Sequence, residues 1–236
     1  MKRIILNGLL AILPFFTIAQ PALQSLNGAW EAEKDDNNTR SIVIISDGYF
    51  SVTNYANDRF ISTMGGIIEA RNNQIVLTYE FNTEDSTQVG TSIVADGALE
   101  NDQITYNGMN WHRIDDGTPG ELNGAWLMVG RDRDGERRKP GARKTMKILS
   151  GTRFQWIAYH TETGQFFGTG GGNYTTEDGK YTEQIEFFSR DQSRVGMSLT
   201  FEYELIDNEW HHKGNNSRGE PLYEVWGSRE SLLVAK

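Results

Sequence analysis

Gln165 to Phe188 reads QFFGTGGGNYTTEDGKYTEQIEFF, and these residues decide the fold. Glu177-Asp178-Gly179 is a tight turn in which Gly179 is free to take a positive φ. After the turn, Tyr181, Glu183, Ile185 and Phe187 share one face and Thr182, Gln184 and Glu186 the other, the period of a half-buried strand. Before it, Gly168, Gly170, Gly171 and Gly172 bring no side chains to pack. Glycines inside a strand mark a bulge, a barrel corner or a close backbone approach. A dinucleotide-binding glycine motif would need a helix to follow, and the sequence offers none. The stretch is a bent hairpin of the kind that curls a sheet.

This hairpin has a counterpart upstream. A shift of 106 positions sets Phe60 on Phe166, Thr63 on Thr169, Gly65-Gly66 on Gly171-Gly172 and Glu80-Phe81 on Glu186-Phe187. Leu26-Asn27-Gly28-Ala29-Trp30 recurs unchanged as Leu122-Asn123-Gly124-Ala125-Trp126, and Trp111 with Arg113 parallels Trp226 with Arg229. The chain therefore reads as one unit used twice, the copies divided at the turn-rich Asp115 to Gly120. The second copy carries eight expected strands, at 122–130, 144–149, 152–160, 165–175, 180–188, 197–206, 209–214 and 221–228. No stretch of either copy has a helical period. Short strands with turn punctuation predict an all-β protein of two tandem antiparallel up-and-down barrels, at 20–116 and 117–236.

Ahead of these, Lys2 and Arg3 precede an apolar run from Ile4 to Phe16 and the small residues Thr17 to Ala19, the layout of a signal peptide at 1–19 and so of a secreted or periplasmic protein. The chain has 0 cysteines, so no disulfide supports the core. Charge is uneven: Gln20 to Gly120 holds 5 Lys/Arg against 15 Asp/Glu, and Glu121 to Lys236 holds 16 against 17. An acidic first half argues against a nucleic-acid partner.

Gly28-Ala29-Trp30 and Gly124-Ala125-Trp126 resemble the G-x-W motif at the start of the first lipocalin strand. In that family the Trp closes one barrel end under an Arg from the last strand. The resemblance, fullest over 144–230, is to small secreted bacterial lipocalin-like (calycin-type) domains. It implies that Trp30 with Arg113 and Trp126 with Arg229 close the two barrels, and that the second binds a small, largely apolar ligand.

Strand parity supplies candidates for that interior. Across the Asp207-Asn208 turn, Leu205 opposes Trp210 and Tyr203 opposes His212, so Tyr203 and His212 enter the barrel and His211 faces out. The same parity sends Phe154, Trp156, Ala158 and His160 inside and sets Asn173 opposite Glu183. The equivalents of those last two in the first copy, Ile67 and Leu77, are apolar. Ile185, Phe187, Leu199 and Phe201 would line an apolar tail site. The plain alternative is a satisfied internal hydrogen-bond network. Catalysis by Glu183, His212 and Tyr203 is a weaker third reading, with no nucleophile motif behind it. Adjacent His211 and His212 point to opposite faces, so no metal is expected, and no motif implies a cofactor.

The long links of the second copy all fall at one end, where Arg137, Arg138, Lys139, Arg143, Arg190, Arg194 and Arg218 would ring an open mouth. That rim is read as a mouth for an anionic head group, a docking surface for an acidic protein partner, or simply a solvated charged edge. The favoured function is non-catalytic carriage of a small anionic amphiphile in the second barrel. The alternatives are a barrel enzyme for acid/base isomerisation or cyclisation, and an interaction module with a filled core.

Overall fold

The computed structural model describes residues 21–32, 39–56, 59–71, 74–95, 97–100, 102–106, 108–131 and 137–234. The expected leader at 1–19 lies outside them, as do residues 132–136 of the first long loop of the second copy. After a one-turn helix α1 (Pro21–Gln24), the first unit comprises β1 (Gly28–Ala32), β2 (Thr39–Ser46), β3 (Tyr49–Ala56), β4 (Arg59–Arg71), β5 (Gln74–Asn82), β6 (Ser92–Ala95), β7 (Gly97–Glu100), β8 (Gln103–Tyr106) and β9 (Met109–Asp115). The second comprises β10 (Gly124–Arg131), β11 (Arg143–Leu149), β12 (Arg153–His160), β13 (Phe166–Glu177), β14 (Lys180–Phe188), β15 (Ser198–Ile206), β16 (Glu209–Asn215) and β17 (Pro221–Ser228). A short helix α2 (Arg229–Val234) follows, an element without a helical period long enough to read.

β10 to β17 form a closed antiparallel barrel, β10 pairing with β17 from Trp126↔Ser228 to Arg131↔Glu224. The first unit is a curled nine-stranded sheet in the order β6-β5-β4-β3-β2-β1-β9-β8-β7. Its two end strands follow each other in the chain with residue 96 between them. In the barrel the corresponding strand, β15, is continuous and pairs on both sides, with β14 over Ser198 to Glu202 and with β16 over Phe201 to Ile206. Splitting that strand divides its pairing between β5 and β8, so the ladder does not run all the way round.

The glycines do their work through a bulge that occurs in both units. Gly171 pairs with Phe187 and Gly172 with Ile185, so Glu186 is the extra residue, and Gly65, Gly66 and Glu80 repeat the arrangement. A Cβ on Gly172 would lie 1.9 Å from the Gln184 carbonyl oxygen, and one on Gly66 2.0 Å from that of Thr78. No other residue fits such an approach. The bulge also shifts the parity read from the sequence. Asn173 faces outward opposite Gln184, Tyr174 takes the inward place opposite Glu183, and Phe187 points out of the barrel. The expectations that Asn173 and Phe187 line the interior are corrected accordingly.

What Phe187 and its neighbours meet outside is the other unit. Ile42, Ile44, Tyr49, Tyr55 and Phe81 of the first unit bury a common core with Leu127, Met146, Ile148, Ile157, Tyr159 and Phe187 of the second. The contacts are reciprocal, as in an isologous interface. Tyr55 packs on Phe187 and Tyr159 on Phe81, each with ring centroids 5.0 Å apart, and the equivalent Phe60 and Phe166 stack on each other. Each bulged glutamate is used the same way: Tyr55 Oη donates to Glu186, and Tyr159 Oη donates to Glu80 at 2.5 Å. Arg153 and Arg229 complete the two ion clusters, Arg229 reaching both oxygens of Glu80 at 2.7 Å. In the middle Gln155 links Ser51 at 2.5 Å, Thr63 at 3.0 Å and Thr169 at 2.9 Å, so this buried amide is fully bonded.

Candidate functional site

The barrel interior holds an aromatic lining of Trp126, Phe154, Tyr174, Tyr181, Phe201, Trp210 and Trp226. Four ionisable side chains stand among these rings: Lys147 4 %, Glu183 5 %, His212 1 % and Glu224 6 % exposed. Strand parity explains each. Lys147 of β11 lies opposite the inward Trp126, Glu183 opposite the inward Tyr174, and His212 opposite both Tyr203 and Glu224. Lys147 Nζ sits 2.8 Å from Glu183 Oε1, with the rings of Tyr181 and Trp210 each 4.9 Å away and that of Trp226 5.3 Å away. Arg131 Nη2 reaches down from the end of β10 to Glu224 Oε1 at 3.1 Å. Both carboxylates therefore have a cation.

His212 is different. Its Nδ1 is 3.7 Å from Glu224 Oε2, too far for a hydrogen bond, and neither ring nitrogen has a partner. Burial, followed by the charge of Lys147, pushes its pKa down to about 4 against the pull of Glu224 and Glu183, so the ring is neutral at pH 7. Burial works to raise Glu224, but its contacts with His212 and the charges of Lys147 and Arg131 outweigh that and hold it below the usual carboxylate range. Tyr181 is driven well above its ordinary value by burial and then by Glu183, so its hydroxyl keeps its proton. That hydroxyl and the Nε1 atoms of Trp210 and Trp226 also have no partner. Trp111, the counterpart of Trp226, has the same unmatched Nε1, so Trp210, Tyr181 and His212 are the distinctive donors.

The first unit shows what the fold can do without these groups. Matching registers put Val43 in the place of Lys147 and Leu77 in the place of Glu183. Tyr106 and Met109 stand for His212 and Glu224, and Ile104 for Trp210. Lys147 and Glu224 were not picked out from the sequence; Tyr181 and Trp210 were placed on strand faces, Trp226 in the repeat and Arg131 in the basic first loop, but none of these four was assigned to the site. A signal for Glu224 was present, because Trp226 is inward and Glu224 lies two positions before it on the same strand.

The other expected residues are distributed as follows. Phe154, Trp156, Ile185, Leu199, Phe201 and Tyr203 pack with the interior cluster. Tyr203 Oη donates to Glu121, which ties it to the segment leading into β10. His160 stands at the rim, where Nδ1 accepts from the backbone N of Glu162 at 3.3 Å. Arg113 lies over the Trp30 ring at 4.0 Å. Arg229 does not lie over Trp126. Ser228 is the residue opposite Trp126, so Arg229 falls on the outward face, over Tyr49 at 3.7 Å and paired with Glu80.

The expected basic rim is largely tied down. Arg143 lies 4.4 Å from the Phe167 ring centroid and Arg190 Nε donates to the Phe167 carbonyl at 2.6 Å. Arg194 pairs with Asp191 at 2.9 Å and donates to the Ser217 carbonyl. Arg137 leaves the rim and lies back on the outer wall, 2.8 Å from Glu209 next to a tight turn. Lys139 and Arg138 are exposed, and Arg218 is held in its loop by Asn216 Oδ1 at 2.9 Å. A cleft of about 530 Å3 opens in the wall between β15 and the end of β16, lined by Leu199, Phe201, Lys213, Gly214 and the Asn215 to Ser217 loop among others.

A closed eight-stranded antiparallel barrel with a charged, aromatic interior, packed against a curled sheet, defines the class of this protein. Residues 121–227 match the model of a family described as "Domain of unknown function (DUF4488)". The matched span contains Arg131, Lys147, Glu183, His212 and Glu224, and the first unit lies outside it. No curated protein matches the chain. Among the described residues, no helix is long and apolar enough to cross a membrane, and no three His, Asp or Glu converge as a metal site would require.

Proposed function

We propose that the protein is a secreted or periplasmic, lipocalin-like carrier that arose by tandem duplication, in which the second barrel binds a small molecule and the first unit braces it. One observation carries this reading: Lys147, Glu183, His212 and Glu224 are buried at positions that the first unit fills with Val43, Leu77, Tyr106 and Met109. Buried ion pairs rarely add stability over apolar residues of similar size, and unmatched buried donors cost about 1–3 kcal/mol each. The first unit fills the corresponding places of its open sheet with uncharged side chains, Met109 among them 45 % exposed, so the charged set of the closed barrel is read as kept for something other than folding. The ligand's polar end is taken inside, onto the unmatched donors, with the aromatic lining around its apolar part. The reciprocal packing of Tyr55 with Phe187 and Tyr159 with Phe81 supports the duplication.

The test is to purify the protein and the variant carrying Lys147→Val, Glu183→Leu, His212→Tyr and Glu224→Met, extract both with organic solvent, and compare the small molecules by mass spectrometry. A molecule retained by the parent and absent from the folded variant is the expected result. Identical extracts would leave the cluster with a structural role alone. A second reading, acid/base catalysis, is favoured by the neutral His212 beside Glu224. Chemical change in the retained molecule on incubation, lost with His212→Ala, would put it first.

A further inference from the structure

Phe201 both lines the cleft in the barrel wall and packs against His212, one of the unmatched groups inside. β15 and β16 pair only from Phe201↔Gly214 onward, so Leu199 and Thr200 have no partners across from Asn215 and Asn216. On its other edge β15 stays paired with β14, Leu199 opposite Glu183. The seam therefore opens on one side only. Phe201 lines the cleft on its outer side, and on its inner side its ring lies 4.0 Å, centroid to centroid, from that of His212. Gly214 lets the ring lie there: a Cβ at that position would come within 2.7 Å of Phe201 Cδ1. Turning the Phe201 ring outward brings His212, and behind it Trp210 and Tyr181, to the floor of the cleft.

The charges define what that floor accepts. Lys147 is matched by Glu183 at 2.8 Å and Glu224 by Arg131 at 3.1 Å, while His212 is neutral. A charged head group would add an uncompensated charge to a balanced, water-poor interior. The unmatched groups are mainly donors, N–H of Trp210 and His212 and O–H of Tyr181, set among aromatic faces. Resting on the carrier reading above, we propose that the cleft between β15 and β16 is the way into the barrel, with Phe201 as its door, and that it admits an uncharged, planar ligand bearing carbonyl oxygens. The basic rim is not its receptor.

Coumarin and coumarin-3-carboxylate, a pair differing by one anionic group, make the test by quenching of tryptophan fluorescence at pH 7. The full-length protein is expected to bind coumarin at least tenfold more tightly than the carboxylate. Trp210→Phe, which keeps a ring and removes a donor, should weaken coumarin binding about tenfold. Phe201→Ala should speed association and move the titration of His212, followed by NMR, upward from about 4 by more than one unit as water reaches the ring. Equal or tighter binding of the carboxylate would overturn the ligand class. If that binding also disappears in the fourfold variant of the previous section, the carrier reading survives. An unchanged His212 titration and association rate in Phe201→Ala would overturn the door. Failure of both compounds to bind, with empty extracts from the parent protein, would remove the proposal and the carrier reading together.

Discussion

His212 couples the stability of the barrel to pH because its ring is neutral when folded and free to take a proton when unfolded. Its folded pKa of about 4 lies below the unfolded value of 6.5. Its contribution is therefore complete above pH 6.5 and is lost as pH falls towards 4, where the unfolded chain binds a proton that the folded one refuses. At 1.36 kcal/mol per unit, the loss by pH 5 is about 2 kcal/mol. Urea unfolding at pH 7.5 and 5.0 should show that drop in the parent and not in His212→Phe; equal drops in both would assign it to other groups. The inward place of His212 was legible from the sequence, since the two-residue turn at Asp207-Asn208 fixes the register with no room for slippage. Lys147 was not. Its strand also carries Arg143 and Lys144, and a lysine there does not reveal its facing until its neighbour, Trp126, is known to point inward.

At the scale of elements, the glycine pair and the glutamate opposite it form one device. The bulge swings Glu186 and Glu80 to the outer face and sends Phe187 with Glu186 into the interface. Gly172→Ala should cost more than about 3 kcal/mol, as changes that force the backbone do, because its Cβ would lie 1.9 Å from a carbonyl oxygen. Gly179→Ala, with open space around it and a φ of 70°, should cost about 1–2 kcal/mol, the ordinary left-handed penalty. Denaturant midpoints of the two variants decide the point, and equal losses would refute it. The strands of the second unit were legible to within two residues, because alternation and turn residues mark them directly. The facing of Asn173 and Phe187 was not, because one extra residue in one strand reverses parity and leaves no mark in composition.

In the whole molecule, two barrel-type units are joined by an apolar face bracketed by two ion clusters. For Glu80, burial opposes ionisation but the ion pair with Arg229 overrides it and holds the carboxyl below its usual value; Glu186 is held down likewise by Arg153. Their folded pKa values are depressed, so their contribution is present above the unfolded value of about 4.3 and is lost as pH falls below it. Arg229→Ala strands the buried Glu80 carboxylate, and a loss of about 3–5 kcal/mol is expected in denaturant unfolding. A loss below about 1 kcal/mol would show the two units held by apolar contacts alone. The internal likeness of the two units was visible in the sequence as a fixed offset, but the face joining them was not, since residues outward from a barrel read as solvent-facing until a partner covers them. The central claim is that the charged interior of the second barrel is kept for a ligand and not for the fold. Its most direct test is the unfolding free energy, at pH 7, of the variant with Lys147→Val, Glu183→Leu, His212→Tyr and Glu224→Met. The account predicts a value equal to the parent's or higher by about 1–4 kcal/mol; a fall of more than about 3 kcal/mol would contradict it.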